Sequence, residues 1–81
     1  MDNLESQIKE GFKEISSNVS YVFENNAHSV RIVSESFENL QLIERMNQVM
    51  KCLRKSENLL KLDLTYDFNF ILMTPKELET D

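Results

Sequence analysis

Two alternating runs meet at a pair of asparagines, and that arrangement constrains this chain more than any other feature. Val19, Tyr21 and Phe23 share one side of the first run. His28, Val30 and Ile32 share one side of the second, which spans His28 to Ser34. Asn25-Asn26 lies between them, and asparagine tolerates the positive φ of a tight turn. Period-two runs around such a turn predict an antiparallel hairpin. One glycine and one proline in 81 residues leave few other tight turns and exclude Gly-rich phosphate loops.

The flanking segments change period. Leu4, Ile8, Phe12 and Ile15 recur at helical spacing, which predicts a first helix of about 13–14 residues. Asp2-Asn3-Leu4-Glu5 fits a capping box, with Asp2 as cap and Glu5 reaching back. Gly11 inside the helix costs about 1 kcal/mol relative to Ala, which a close approach to a sheet explains. Ser34–Asn39 is a polar connection carrying Phe37. A second helix runs from about Leu40 to Arg54, with Ile43, Met46, Met50 and Leu53 as its apolar stripe and Leu42 and Val49 beside it. Ser56-Glu57-Asn58 reads as a break, and Leu59-Leu60 as a short turn.

The stretch from Leu62 to Leu72 alternates Leu62, Leu64, Tyr66, Phe68, Phe70 and Leu72, which predicts a third strand with those residues against the core. Thr74-Pro75-Lys76-Glu77 starts a short final helix, with Thr74 as cap and Pro75 at the first helical position. The second and third strands are joined through a helix, so they should be parallel with a right-handed crossover. The expected fold is α+β, a two-layer α-β-β-α-β(-α) sandwich. Its three-stranded mixed sheet carries both main helices on one face, and residues 1–81 form one domain.

The formal net charge is −5, whereas a general polyanion binder carries a basic excess. Any nucleic-acid role therefore needs a local patch, and Arg45, Lys51, Arg54, Lys55 and Lys61 supply one. The sheet's solvent face, read as Ser20, Val22, Glu24, Ser29, Arg31, Val33, Thr65, Asp67 and Asn69, has no aromatic platform for bases. Cys52 is the only cysteine, so no internal disulfide forms, and a reducing compartment fits. It reads as a small core residue rather than a nucleophile. Asp63 and Asp67, four apart on a strand, would lie about 13 Å apart, too far for a general acid–base pair. The N-terminus has no signal-peptide pattern and no run reaches the ~20 apolar residues of a membrane helix. A soluble, cytoplasmic, non-enzymatic protein is expected, as a monomer or weak homodimer without membrane contact.

Several strings resemble the BolA family of small α+β proteins, whose fold is like a class II KH domain. In VRIVSESFENLQLIERMNQVMKCL, Val30 to Leu53, the residues Val33, Ser34, Glu35, Phe37 and Arg45 meet the family pattern without a gap. FNFILMTPKEL resembles its closing strand and Thr-Pro-x-Glu-aromatic motif through Thr74, Pro75 and Glu77; Leu78 stands where Trp or Phe is common. The Gly-x-x-Gly of RNA-binding KH domains is absent. The resemblance implies partnership with a monothiol glutaredoxin in iron–sulfur cluster assembly or iron regulation. A bridging [2Fe–2S] cluster is held in such complexes by a last-strand His and a His or Cys near the first hairpin loop. Tyr66 stands at the last-strand position, and Ala27 at the other, with His28 adjacent. Tyr66, Ala27 and His28 are thus the partner-facing positions that the resemblance implies. His28, the sole imidazole, is either a core-edge residue or a cluster ligand. A transcription-associated DNA binder using the Arg45–Lys61 patch is the alternative, and a diverged member without a cluster role is a third.

Overall fold

In the computed structural model, which describes residues 3–80, Asn25 and Asn26 both take left-handed φ, 53° and 62°. That pair of angles makes the two-residue hairpin turn whose twist matches the flanking strands. It joins β1 (Asn18–Glu24) to β2 (Ala27–Val33) in antiparallel register, with Tyr21 opposite Val30 and Phe23 opposite His28. β3 (Asn69–Met73) pairs in parallel with β2, which is central in the order β1-β2-β3. The helices are α1 (Leu4–Gly11), α2 (Leu42–Lys55), α3 (Glu57–Tyr66) and α4 (Pro75–Glu79), with a 3-10 turn at Glu35–Phe37. The fold is α+β with a three-stranded mixed sheet, as expected. Among the described residues no helix is long and apolar enough to cross a membrane.

Directly paired strand residues point to one face. Val19, Ile32 and Leu72 form one such row, and Tyr21, Val30 and Phe70 the next. They pack with Ile8 and Phe12, Val49 and Leu53, Leu59, and the fully buried Phe37 in one core. Ser20, Val22, Arg31 and Ile71 face away from it. Val33, expected on that outer face, is buried instead. The turn after α1 explains this: Ser16 Oγ donates to the Val33 carbonyl, and Ile15, Ser16 and Pro75 line the same hollow beside Val33.

The sequence expectation fails in three further places, each for a physical reason. First, α1 is eight residues long rather than 13–14. It ends at Gly11, with Phe12 as C-cap, and Phe12–Ser16 continues as a turn. Its N-cap is Asn3, whose Oδ1 accepts from Ser6 N at 2.8 Å; Asp2 lies outside the described residues. Glu5 does not reach back but accepts from Tyr21 N at the free edge of β1. Gly11 does approach a neighbour closely, but that neighbour is a helix: an added Cβ would sit 2.8 Å from Leu59 Cδ1.

Second, the buried face of α2 runs through Val49, Cys52 and Leu53. Ile43 and Leu42 are 70% and 65% exposed, and Met50 is exposed as well. Arg45, not an apolar residue, occupies the first inward position, so the apolar stripe read from spacing was rotated.

Third, Leu62–Tyr66 is helix, not strand. Ser56 ends α2 and at once caps α3, its Oγ accepting from Leu59 N at 3.2 Å. Buried Leu59 and half-buried Leu62 and Tyr66 then follow helical steps of three and four, while Leu64 is 75% exposed. Asp67, left-handed at φ 53°, closes the helix by donating its N–H to Asp63 O. Three main helices therefore cover the sheet, and Thr65 and Asp67 leave its outer face. Asp63 and Asp67 are one helical turn apart, and burial raises the Asp63 carboxyl above its ordinary range.

Candidate functional site

The hairpin builds the site. In a two-residue hairpin the closing pair, Glu24–Ala27, exchanges both backbone hydrogen bonds, so the next pair is the close, non-hydrogen-bonded kind. That pair is Phe23–His28, and their rings stack at 4.4 Å between centroids. The same alternation turns Tyr21 N outward, where Glu5 takes it. Tyr21 is the diagonal neighbour of His28 on this face, within reach of a long side chain. Its hydroxyl lies 2.6 Å from His28 Nδ1 with the two ring planes 12° from parallel.

The third wall comes from α3. The left-handed turn at Asp67 reverses the chain after Tyr66, leaving that ring at the helix end over the hairpin. Tyr66 sits 5.0 Å from the His28 ring, tilted by 58°, and Phe68 packs on both tyrosines. His28 is half-buried, held at Nδ1 by Tyr21 and flanked by Phe23 and Tyr66. Its Nε2 makes no hydrogen bond among the described residues. Burial pushes the Tyr21 phenol above its ordinary pKa, and the neighbouring Tyr66 adds to that.

The structure therefore brings Tyr66 and His28 together. Ala27, one residue before His28 on a strand, points to the opposite face and stays out of the cluster. Tyr66 is not at the start of the last strand as counting suggested; it is the last residue of α3. Tyr21 and Phe23 are site members that the sequence reading assigned only to a strand face. Their shared alternation with His28 was the signal.

The proposed basic patch does not hold together. Arg45 is largely buried and fully engaged: Nε donates to Leu40 O, Nη1 to Leu72 O and Glu77, and Nη2 to Glu77 at 3.0 Å. The guanidinium also lies over the Phe37 ring and holds the Glu77 carboxyl down at about 2. This is a clamp between α2, β3 and α4, not a phosphate contact. Lys55 pairs with Glu14 at 3.6 Å. Lys51, Arg54 and Lys61 stay exposed without ion pairs among the described residues. Cys52 is buried, and burial raises its thiol pKa, so it remains a protonated core residue. A groove of about 780 Å³ lies between α1 and the α2–α3 junction, away from His28. No three His, Cys, Asp or Glu side chains gather as a metal-binding group among the described residues.

No protein-family model and no curated protein matches the chain. Its structure is similar to that of BolA1 from Arabidopsis thaliana, with a TM-score of 0.67. The match covers 95% of this chain and 98% of that one at 24% sequence identity. The chain has a BolA-like fold.

Proposed function

We propose that this chain is a non-enzymatic BolA-like binding module that partners a monothiol glutaredoxin in iron–sulfur cluster assembly or iron homeostasis. His28 is the donor it contributes to a shared [2Fe–2S] cluster. One observation carries the reading: the sole imidazole lies 5.0 Å from Tyr66, the position where the resemblance expects a histidine. An imidazole thus remains in the neighbourhood of position 66, supplied from β2. The donor chemistry fits in part. An imidazole nitrogen is an accepted ligand for such clusters, and Nε2 has no hydrogen-bond partner among the described residues, whereas the Tyr66 phenol, with an ordinary pKa near 10, is a hard oxygen donor. His28 is therefore the single ligand from this chain, and the remaining ligands belong to the partner side. The bound cluster supplies a transferable iron–sulfur unit; this chain supplies one nitrogen and the aromatic wall around it.

Co-expression with a monothiol glutaredoxin from the same source tests the reading. Gel filtration should give a complex with a visible cluster spectrum, and His28→Ala should change that spectrum. No complex, or a complex whose spectrum His28→Ala leaves untouched, removes the role. The DNA-binding alternative is the weaker one, because Arg45 is consumed by the clamp and Lys55 faces an acid.

A further inference from the structure

We infer that Tyr21 is the positioning residue for His28, its hydroxyl holding Nδ1 so that Nε2 is the ring nitrogen offered to a metal. This inference rests on the proposed role of His28 and adds a residue to it. Oη and Nδ1 are 2.6 Å apart and the two ring planes lie 12° from parallel, so the hydroxyl meets the imidazole at Nδ1, the atom that carries a lone pair or a proton. Phe23 stacks on the ring and Tyr66 leans against it, so the ring is confined in rotation as well as in tilt.

A phenol is both donor and acceptor, and a neutral imidazole has one nitrogen of each kind. In one tautomer Tyr21 donates to Nδ1 and Nε2 carries the proton. In the other, Nδ1–H donates to Tyr21 Oη and Nε2 presents its lone pair. Passing between them sends the Nε2 proton to water, takes one from water onto Nδ1 and rotates the hydroxyl; no heavy atom moves. A carboxylate in the same place would only accept. The phenol therefore keeps the ring in one pose in both tautomers, and in the second it is the outer partner that a metal-bound histidine needs. Loss of such a partner typically costs 10–100-fold in metal affinity.

The test is Tyr21→Phe, which removes the hydroxyl and keeps the ring that packs on Phe68. His28 is the only histidine, so its ring nitrogens are assignable in the ¹⁵N-labelled chain without ambiguity. In the free chain the Nδ1 resonance should move on Tyr21→Phe, with the Nε2 resonance changing less. In the wild-type complex with cluster-loaded glutaredoxin, Nδ1 should carry the proton. Cluster binding by Tyr21→Phe should weaken about 10–100-fold at unchanged far-UV circular dichroism. If His28→Ala loses the cluster spectrum while Tyr21→Phe keeps wild-type affinity, this inference is overturned and the role of His28 stands. If His28→Ala also leaves the spectrum unchanged, both fall. Should Tyr21→Phe not fold, a wild-type complex with an unprotonated Nδ1 overturns the inference by itself.

Discussion

Helix α3 makes a sharp prediction, because a strand over the same residues would reverse it. Replacing Leu64 with Gln should be nearly neutral, and replacing Leu59 with Ala should be costly. Leu64 is 75% exposed and Leu59 is 1% exposed. Leu and Gln have similar helix propensities, so Leu64→Gln changes little beyond surface apolar area, about 0.5 kcal/mol or less. Leu59→Ala loses the transfer energy of the removed carbons and opens a cavity beneath Gly11, about 2–5 kcal/mol. For a domain of this size each kcal/mol shifts Tm by roughly 4–8 °C. The Leu64 variant should therefore melt within about 4 °C of wild type, and the Leu59 variant at least about 8 °C below it. Thermal unfolding followed by far-UV circular dichroism reads both. A core strand would bury Leu64 and make Leu64→Gln cost ~1.5–3 kcal/mol. A Leu64→Gln variant that melts as low as Leu59→Ala would refute the helical assignment of Glu57–Tyr66.

Three further outcomes follow from single contacts. Gly11→Ala should be destabilising alone, since overpacking at Leu59 outweighs the roughly 1 kcal/mol helix-propensity gain; in a Leu59→Ala background the same change should become stabilising, a sign reversal that a double-mutant cycle measures. Glu77 has its folded pKa depressed from 4.5 to about 2 by Arg45, so its contribution is fully present above the unfolded value of 4.5 and is lost as pH falls from 4.5 through about 2. The Tm difference between wild type and Glu77→Gln should accordingly be constant above pH ~5 and vanish near pH 2. Cys52 should resist iodoacetamide at pH 8 in the folded chain and react rapidly in denaturant, because burial both covers the thiol and raises its pKa; alkylation followed by mass spectrometry reads the rates.

Legibility in the sequence followed how local each determinant is. The hairpin is readable because Asn25-Asn26 and the flanking alternation are contiguous in sequence, from Val19 to Ile32. The last helix is readable because Thr74 and Glu77 form its capping box, with Pro75 in the first turn between them. Leu62–Tyr66 was misread because the same residues satisfy two periods. Leu62, Leu64 and Tyr66 alternate, but Leu59, Leu62 and Tyr66 also fit a helical face. Ser56 followed by Glu57 was the cue that separates the two, since an N-cap and an acid in the first turn start a helix. The same serine also ends α2, which gives it the look of a break in the sequence. The Arg45 clamp was illegible for a different reason: its partner lies 32 residues away, and spacing along one helix says nothing about a carboxylate delivered by another.

The same distinction bears on the site. A histidine at 66 would project from the end of α3, with its orientation set by a helix terminus and a left-handed turn. The imidazole of His28 projects instead from the strand next to a tight turn, where the closing pair fixes its register and Phe23 and Tyr21 fix its ring. If His28 is the cluster ligand, Tyr66 fills a role that a histidine would fill less well, because a phenol ring offers more apolar surface to cover the imidazole and Phe68. On the proposed role, the tyrosine is part of the wall around one imidazole, whose ring is held by Tyr21, Phe23 and Tyr66 together.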